Sequence, residues 1–346
     1  MTSAIDHPWL GGLFADPELA AIWSADAQLR HMIAFEAAWS RTGHLADLWS
    51  EADGMAAAKA IEKVTINPAD LAEGTARDGV CVPDLVKRLK SQTGLSAIHQ
   101  GATSQDVIDS ATAMQMRATL DLLVTRVEAL KLQMIALIDR FGDAPLMGRT
   151  RMQAAVPITV RDRLQSWVMP LDDHLERIND LRPRVTRVQI GGAAGNRAKT
   201  SPEMVRAVAA ELGLLDNPTA WHATRDGVGE FASVLSLISG TLGKIGQDIC
   251  LMAQQGIDEI TLSGGGGSSA MPHKQNPVLA ELLVTLARFN AVQVSGMHQA
   301  LVHEQERSGA AWALEWMILP QMAQATGRGL TAAGELAGQI TRIGQS

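Results

Sequence analysis

From Gly264 to Pro277 the chain reads Gly-Gly-Gly-Gly-Ser-Ser-Ala-Met-Pro-His-Lys-Gln-Asn-Pro. Two hydroxyls, Ser268 and Ser269, are followed by Met271, His273, the Lys274 cation and the Asn276 carboxamide. Such groups can donate to an anion and neutralise it. The glycines ahead of them supply a hinge, so the segment reads as a loop that closes over a substrate. A glycine-serine linker is the competing reading. A phosphate-binding loop is disfavoured, because the Gly-Lys-Ser/Thr ending is absent and no strand pattern precedes it. Asn276 and Pro277 suit the N-cap and first position of a helix with apolar residues at Val278, Leu282, Leu283 and Leu286.

Four further segments concentrate polar groups. His99-Gln100-Gly101-Ala102-Thr103-Ser104-Gln105-Asp106 precedes a long helical period. Thr103 or Ser104 could cap that helix, and the same hydroxyls beside free N–H groups would receive a carboxylate. Arg149-Thr150-Arg151-Met152-Gln153 lies between Pro145 and Pro157, where two arginines in an apolar stretch suit anion binding. Trp221-His222-x-x-Arg225-Asp226 fits a turn before a helix. His303-Glu304-Gln305-Glu306-Arg307-Ser308 follows an apolar helical segment, with Trp312 and Trp316 on its far side. His298 and His303 are five residues apart and diverge around a helix, and no His-Glu-x-x-His occurs. Neither a metal nor a cofactor is expected.

Helices must position these groups. Met116, Leu120, Leu123, Val127, Leu130, Met134, Leu137 and Phe141 step by four and three, one apolar stripe on a helix of about eight turns. Phe231, Leu235, Ile238, Leu242, Ile245, Ile249 and Met252 repeat the pattern, and Leu164, Val168, Leu171, Leu175 and Ile178 do so more briefly. β-branched alternation is scarce, so the expected fold is all-α, a bundle of long helices. Residues 1–105 divide into shorter helical pieces broken by Pro8, Pro17, Pro68 and Pro83, an N-terminal helical cap on a bundle of residues 106–346. Ala129, Ile135, Ala136 and Ile138, and likewise Ala232, Val234, Leu237 and Leu251, occupy the opposite helix faces, which predicts further burial between subunits.

The whole chain excludes other classes. With 346 residues and a net charge of -7 it offers no basic surface for nucleic acid, and its two cysteines cannot build a disulfide framework. The first residues do not form a signal peptide and no uncharged apolar run is long enough for a membrane span, so a cytoplasmic protein is expected.

His99 to Asp106, Gly148 to Pro157 and Gly267 to Pro277 resemble, in this order, the three signature regions of the fumarase/aspartase superfamily. The last, Gly-Ser-Ser-x-Met-Pro-x-Lys-x-Asn-Pro, is highly specific, and the resemblance covers essentially the whole chain. It implies a central bundle of five long helices, a homotetramer, and active sites at subunit junctions. It also implies the chemistry: removal of a proton next to a carboxylate to give an aci-carboxylate, then expulsion of a group from the β-carbon. By resemblance Ser268 is the base, made competent by nearby N–H groups and cationic charge. Lys274 and Asn276 hold the carboxylate that gains charge, each worth about 3 kcal/mol at the transition state. Thr103, Ser104 and Gln153 fix substrate carboxylates, with His99, Thr150, Ser269, Met271 and His273 beside them.

Members that expel nitrogen from adenylosuccinate or argininosuccinate need a general acid. In the adenylosuccinate enzymes a histidine follows the Arg-Thr pair, and here that position is Arg151. Where their phosphate-binding serine and arginine stand, this chain has Trp312 and Glu315, and a glutamate repels a phosphate. A carboxylate leaving group needs no acid, its pKa being about 4. The resemblance therefore narrows to the lactone-forming branch, which converts 3-carboxy-cis,cis-muconate to 4-carboxymuconolactone in protocatechuate catabolism. A tricarboxylate substrate gives work to Arg149, Arg151 and Arg307. A lyase releasing fumarate is the enzyme alternative; a silent structural relative is disfavoured by intact Ser268, Lys274 and Asn276. Relatives usually end in a small third helical domain, which is expected to be missing here.

Overall fold

In the computed structural model the described residues are 3–267, 271 and 274–344. Six helices come first: α1 (Gly11–Phe14), α2 (Pro17–Ile22), α3 (Ala25–Thr42), α4 (Glu51–Ile61), α5 (Ala72–Asp78) and α6 (Val82–Thr93). The prolines that break this region also start its elements. Pro17 opens α2, Pro68 opens a 3₁₀ turn, and Pro83 lies in the first turn of α6, where a missing N–H costs nothing. The long α7 (Ser104–Phe141) follows, then strands β1 (Pro145–Thr150) and β2 (Gln153–Thr159), α8 (Val160–Val185), α9 (Pro202–Leu212) and α10 (Asp226–Met252). Strand β3 (Ile260–Leu262), α11 (Val278–Gln299), α12 (Ala310–Gln339) and β4 (Ile340–Ile343) complete the chain.

Five of these helices, α7, α8, α10, α11 and α12, form the bundle. The seams read from the sequence are its core: Met116, Leu120, Leu123 and Val127 on α7 and Phe231, Leu235, Ile238 and Ile249 on α10 are fully buried. Each such side chain contributes about 1.5–3 kcal/mol of transfer free energy. α10 packs against α8, α11 and α12, while α7 packs against α8 and α12. Consequently Ala232 and Val234 are buried within the chain, contrary to the subunit role expected of them. Leu237 is exposed, as that reading requires, and further apolar surface is left exposed at Leu132, Met169, Val292 and Met317. α10 and α11 are long and apolar enough to cross a membrane by length and composition alone, yet more than half of the most apolar stretch of α10 is buried in the bundle.

The strands are a departure from the helical reading. β1 and β2 pair antiparallel with Thr150 opposite Gln153, and β3 pairs with β4. These pairs also fix which helix ends lie together. Gly344, just after α12, donates to the Glu259 carbonyl, just after α10, and Glu259 is bonded to Arg149, just after α7. The C-terminal ends of α7, α10 and α12 therefore share one end of the bundle, and their N-terminal ends share the other.

Candidate active site

At the N-terminal end, Thr103 is the N-cap of α7 and Asp106 completes its capping box, accepting from the Thr103 N–H at 3.0 Å. Ser104 is the first helical residue. Asp106 is fully buried and collects three more donors: the N–H groups of Gly191 (2.8 Å) and Gly192 (3.0 Å) and Nε2 of His222 (2.9 Å). Arg307 rests on the same loop, its Nη2 donating to the Ala193 carbonyl at 3.2 Å. One carboxylate thus draws Thr103, Ser104 and Arg307 into one neighbourhood. His99 precedes the cap, with Nδ1 2.6 Å from Oε1 of buried Glu36. Burial pulls the His99 imidazole down, but the charge and hydrogen bond of Glu36, aided by Asp106, hold it above its ordinary value.

Behind this neighbourhood lies a buried ion cluster. Arg225, the N-cap of α10, donates to Asp109 at 2.7 and 3.2 Å and to Glu315 at 2.8 Å, while Trp312 Nε1 and Gln105 Nε2 donate to Asp109 at 2.9 and 3.0 Å. This corrects the sequence argument about Glu315. Its charge is matched by Arg225 inside the protein, where the Glu315 side chain is buried. Burial pushes the Glu315 carboxyl up, yet the hydrogen bonds from Arg225, with the His303 ring 3.7 Å away, hold it below the usual range.

The other predicted residues lie at the opposite end. Arg151 and Met152 form the two-residue turn between β1 and β2, both with positive φ (49° and 66°). That is the φ signature of a type I′ hairpin, usually Asn-Gly, and it holds Arg151 at an exposed tip against steric preference. Thr150 and Gln153 are exposed beside it. Arg149 pairs with buried Glu259 at 3.1 Å and, with Arg151, Arg163 and Lys244, lines a cavity of about 370 Å³. Lys274 and Asn276 line a neighbouring cavity of about 760 Å³ together with Met271 and Glu281, and Gln254 borders both.

The glycine run is not a free hinge where it is described. Gly266 and Asn276 exchange both backbone hydrogen bonds at 3.0 Å, closing the intervening loop on an antiparallel bridge. A Cβ on Gly264 would meet the Gln339 side chain at 2.7 Å, and one on Gly266 would meet Val278 at 2.7 Å. Close approach, rather than an unusual φ, disfavours a side chain at Gly266, whereas at Gly264 the flexible Gln339 would have to move aside. Helix α11 begins at Val278 with Pro277 as N-cap, one residue later than the sequence suggested. Ser268, Ser269 and His273 lie outside the described residues.

The two ends are far apart. The 38 residues of α7 span about 57 Å and the 27 of α10 about 40 Å. A single chain brings His99, Thr103, Ser104 and Arg307 together at one end, and Arg149, Thr150, Arg151, Gln153, Lys274 and Asn276 at the other. The sequence reading passed over Glu36, Asp106, Asp109, Arg225 and Glu259 as individual residues. Asp106 had a signal in its spacing of three from Thr103, and Glu36 in being the sole charge between Met32 and Ser40.

Residues 14–338 match the family model described as "Lyase". A 3-carboxy-cis,cis-muconate cycloisomerase of Pseudomonas aeruginosa is 36% identical over 328 residues, 89% of this chain and 70% of that protein. An N-acetyl-S-(2-succino)cysteine lyase of Enterococcus italicus is 33% identical over 327 residues, 92% of this chain and 72% of that protein. Among solved structures, the 3-carboxy-cis,cis-muconate lactonizing enzyme from Pseudomonas putida superposes with a TM-score of 0.91 at 33% identity, covering 97% of this chain and 78% of that one. The five-helix bundle, the order of the signature regions and these matches together make the chain a member of the lyase family within the fumarase/aspartase superfamily.

Proposed function

We propose that the chain is a cycloisomerase that converts 3-carboxy-cis,cis-muconate to 4-carboxymuconolactone. A carboxylate oxygen of the substrate adds to the conjugated double bond, and the adjacent carbon, as an aci-carboxylate carbanion, takes a proton from Ser268. Lys274 and Asn276 hold the carboxylate that carries the transient charge. Thr103, Ser104, Gln153, Arg151 and Arg307 bind the remaining carboxylates, with His99, Arg149, Thr150, Ser269, Met271 and His273 around them. The observation that carries this reading is Arg151 at the exposed hairpin tip. It offers a permanent cation where a nitrogen-expelling lyase requires a proton donor, which suits a substrate rich in carboxylates whose leaving group needs no acid.

A homotetramer in the cytoplasm, with sites at subunit junctions, belongs to the same proposal. The length of bundle between the two groups of residues, about 33 Å along α11 and about 40 Å along α10, supports it, because antiparallel copies would bring one end of each against the other end of its neighbour. The exposed apolar residues along α11 and its neighbours are available to bury. Residues 1–105 are proposed as the N-terminal unit and 106–346 as the bundle and assembly unit.

The succinocysteine lyase relative favours a second reading. A thiolate, with a conjugate-acid pKa of about 8.5, also leaves without a strong acid, so Arg151 does not exclude it. One assay decides. Loss of the conjugated diene absorbance from carboxymuconate is expected; release of fumarate from a succinyl thioether or amine, with no change in carboxymuconate, would overturn the proposal.

A further inference from the structure

Glu36 and Trp39 lie one turn apart on the same face of α3, and both grip the loop that leads into α7. Glu36 Oε1 meets His99 Nδ1 at 2.6 Å, and Trp39 Nε1 donates to the Gln100 carbonyl at 3.1 Å. Glu36 is fully buried, and its Oε2 has no hydrogen-bond partner. A buried carboxylate with one empty oxygen is costly unless a cation answers it, and His99 is the group in contact with it. His99 also has a φ of 61°, the left-handed region that few residues other than glycine occupy, histidine being among those that do so more readily. Its side chain remains 18% exposed, and among the described residues its Nε2 has no partner. Besides Glu36 on α3, the charges acting on the ring are Asp106 on α7 and Lys90 on α6.

We infer that Glu36 is a positioning residue of the active site: it fixes the His99 ring with Nδ1 inward and keeps it an imidazolium, presenting Nε2–H beside Thr103 to a substrate carboxylate. The substrate half of this inference rests on the carboxylate-binding role proposed above. The Glu36 half does not.

Two measurements on the intact protein test the halves separately. Exchange of the histidine C2 hydrogens, followed by mass spectrometry across pH, gives the midpoint of His99 without substrate. It is expected above the ordinary value of about 6.5 in the wild type, and lower by about one unit in Glu36→Gln. Steady-state kinetics with carboxymuconate should show KM in Glu36→Gln raised about tenfold at neutral pH, with kcat much less affected, and KM returning toward the wild-type value below the variant's His99 midpoint. An unchanged midpoint overturns the inference, and so does a lowered midpoint with unchanged KM, which would leave Glu36 a structural acid. If Glu36→Gln does not fold, the wild type decides. A His99 midpoint at or below the ordinary value refutes the pair, whereas a higher one with KM rising through it upholds it. A wild type inactive on carboxymuconate removes the substrate half, while the exchange midpoint still judges Glu36.

Discussion

Asp106 Oδ1 and His222 Nε2 meet at 2.9 Å in the interior, joining the first turn of α7 to the approach to α10 across 116 residues of chain. The same carboxylate satisfies the N–H groups of Thr103, Gly191 and Gly192. A residue that would pass as an ordinary helix cap is thus the junction on which three loops converge, and Arg307 leans on one of them.

Asp106→Ala is expected to lose at least about 3 kcal/mol of stability, since several buried donors are left unpaired at about 1–3 kcal/mol each. Urea unfolding measures it. A loss below 1 kcal/mol would mean that water replaces the carboxylate and that the junction is not structural.

Arg225→Met should cost about 3–5 kcal/mol, because Asp109 and Glu315 remain buried without their cation. The penalty must shrink at acid pH, where both unpaired carboxyls take up protons. Adding Asp109→Leu and Glu315→Met should restore most of the stability. A deficit that persists unchanged in the triple variant would show that the cluster contributes more than charge compensation.

His174 sits between α8 and α10, with Nε2 2.8 Å from Thr241 Oγ1 and Nδ1 facing Arg177. Burial, reinforced by Arg177, pulls its pKa down to about 4. The folded value lies below the unfolded one, so the neutral ring's stabilisation is fully present above about pH 6.5 and is lost as pH falls toward 4. Up to about 3 kcal/mol should disappear across that window. The stability of the wild type relative to His174→Gln should therefore fall by up to about 3 kcal/mol between pH 6.5 and pH 4 in thermal unfolding; a difference that does not change with pH would contradict the assignment.

The Arg151-Met152 turn separates stability from function. Replacing the pair by Asn-Gly, which accepts two positive φ values, is expected to stabilise by about 1 kcal/mol. The same change should raise KM for carboxymuconate about tenfold by removing a carboxylate-binding cation. An unchanged KM would take Arg151 out of the site.

Mixing two inactive variants tests the shared site. Thr103→Val and Lys274→Ala alter opposite ends of the bundle, so dissociated and reassembled mixtures should regain activity that neither variant has alone. Recovery is expected only if different chains complete one site. If the proposed assembly buries the exposed face of α11, Val292→Lys should reduce the sedimenting mass by setting a charge there; an unchanged mass would take Val292 out of the interface.

How much of this was legible in the residues follows their range of action. Helical periodicity is local, so the seams of α7 and α10 could be read directly, as could a cap at Thr103 or Ser104, of which the fold uses Thr103. The motif spacing was enough to indicate the family. The hairpin at Arg151 escaped, because Arg-Met is not a turn sequence and only tertiary support holds both residues at positive φ. The glycines looked like a hinge, but Gly264 and Gly266 lie close against Gln339 and Val278. Glu315 looked like a repelling charge until Arg225, 90 positions away, was found against it. Residue types set which chemistry was available. Only the long-range pairing of helix ends decided which charges are neutralised inside and which functional groups one chain can bring together, because sequence distance says nothing about contacts made across a bundle.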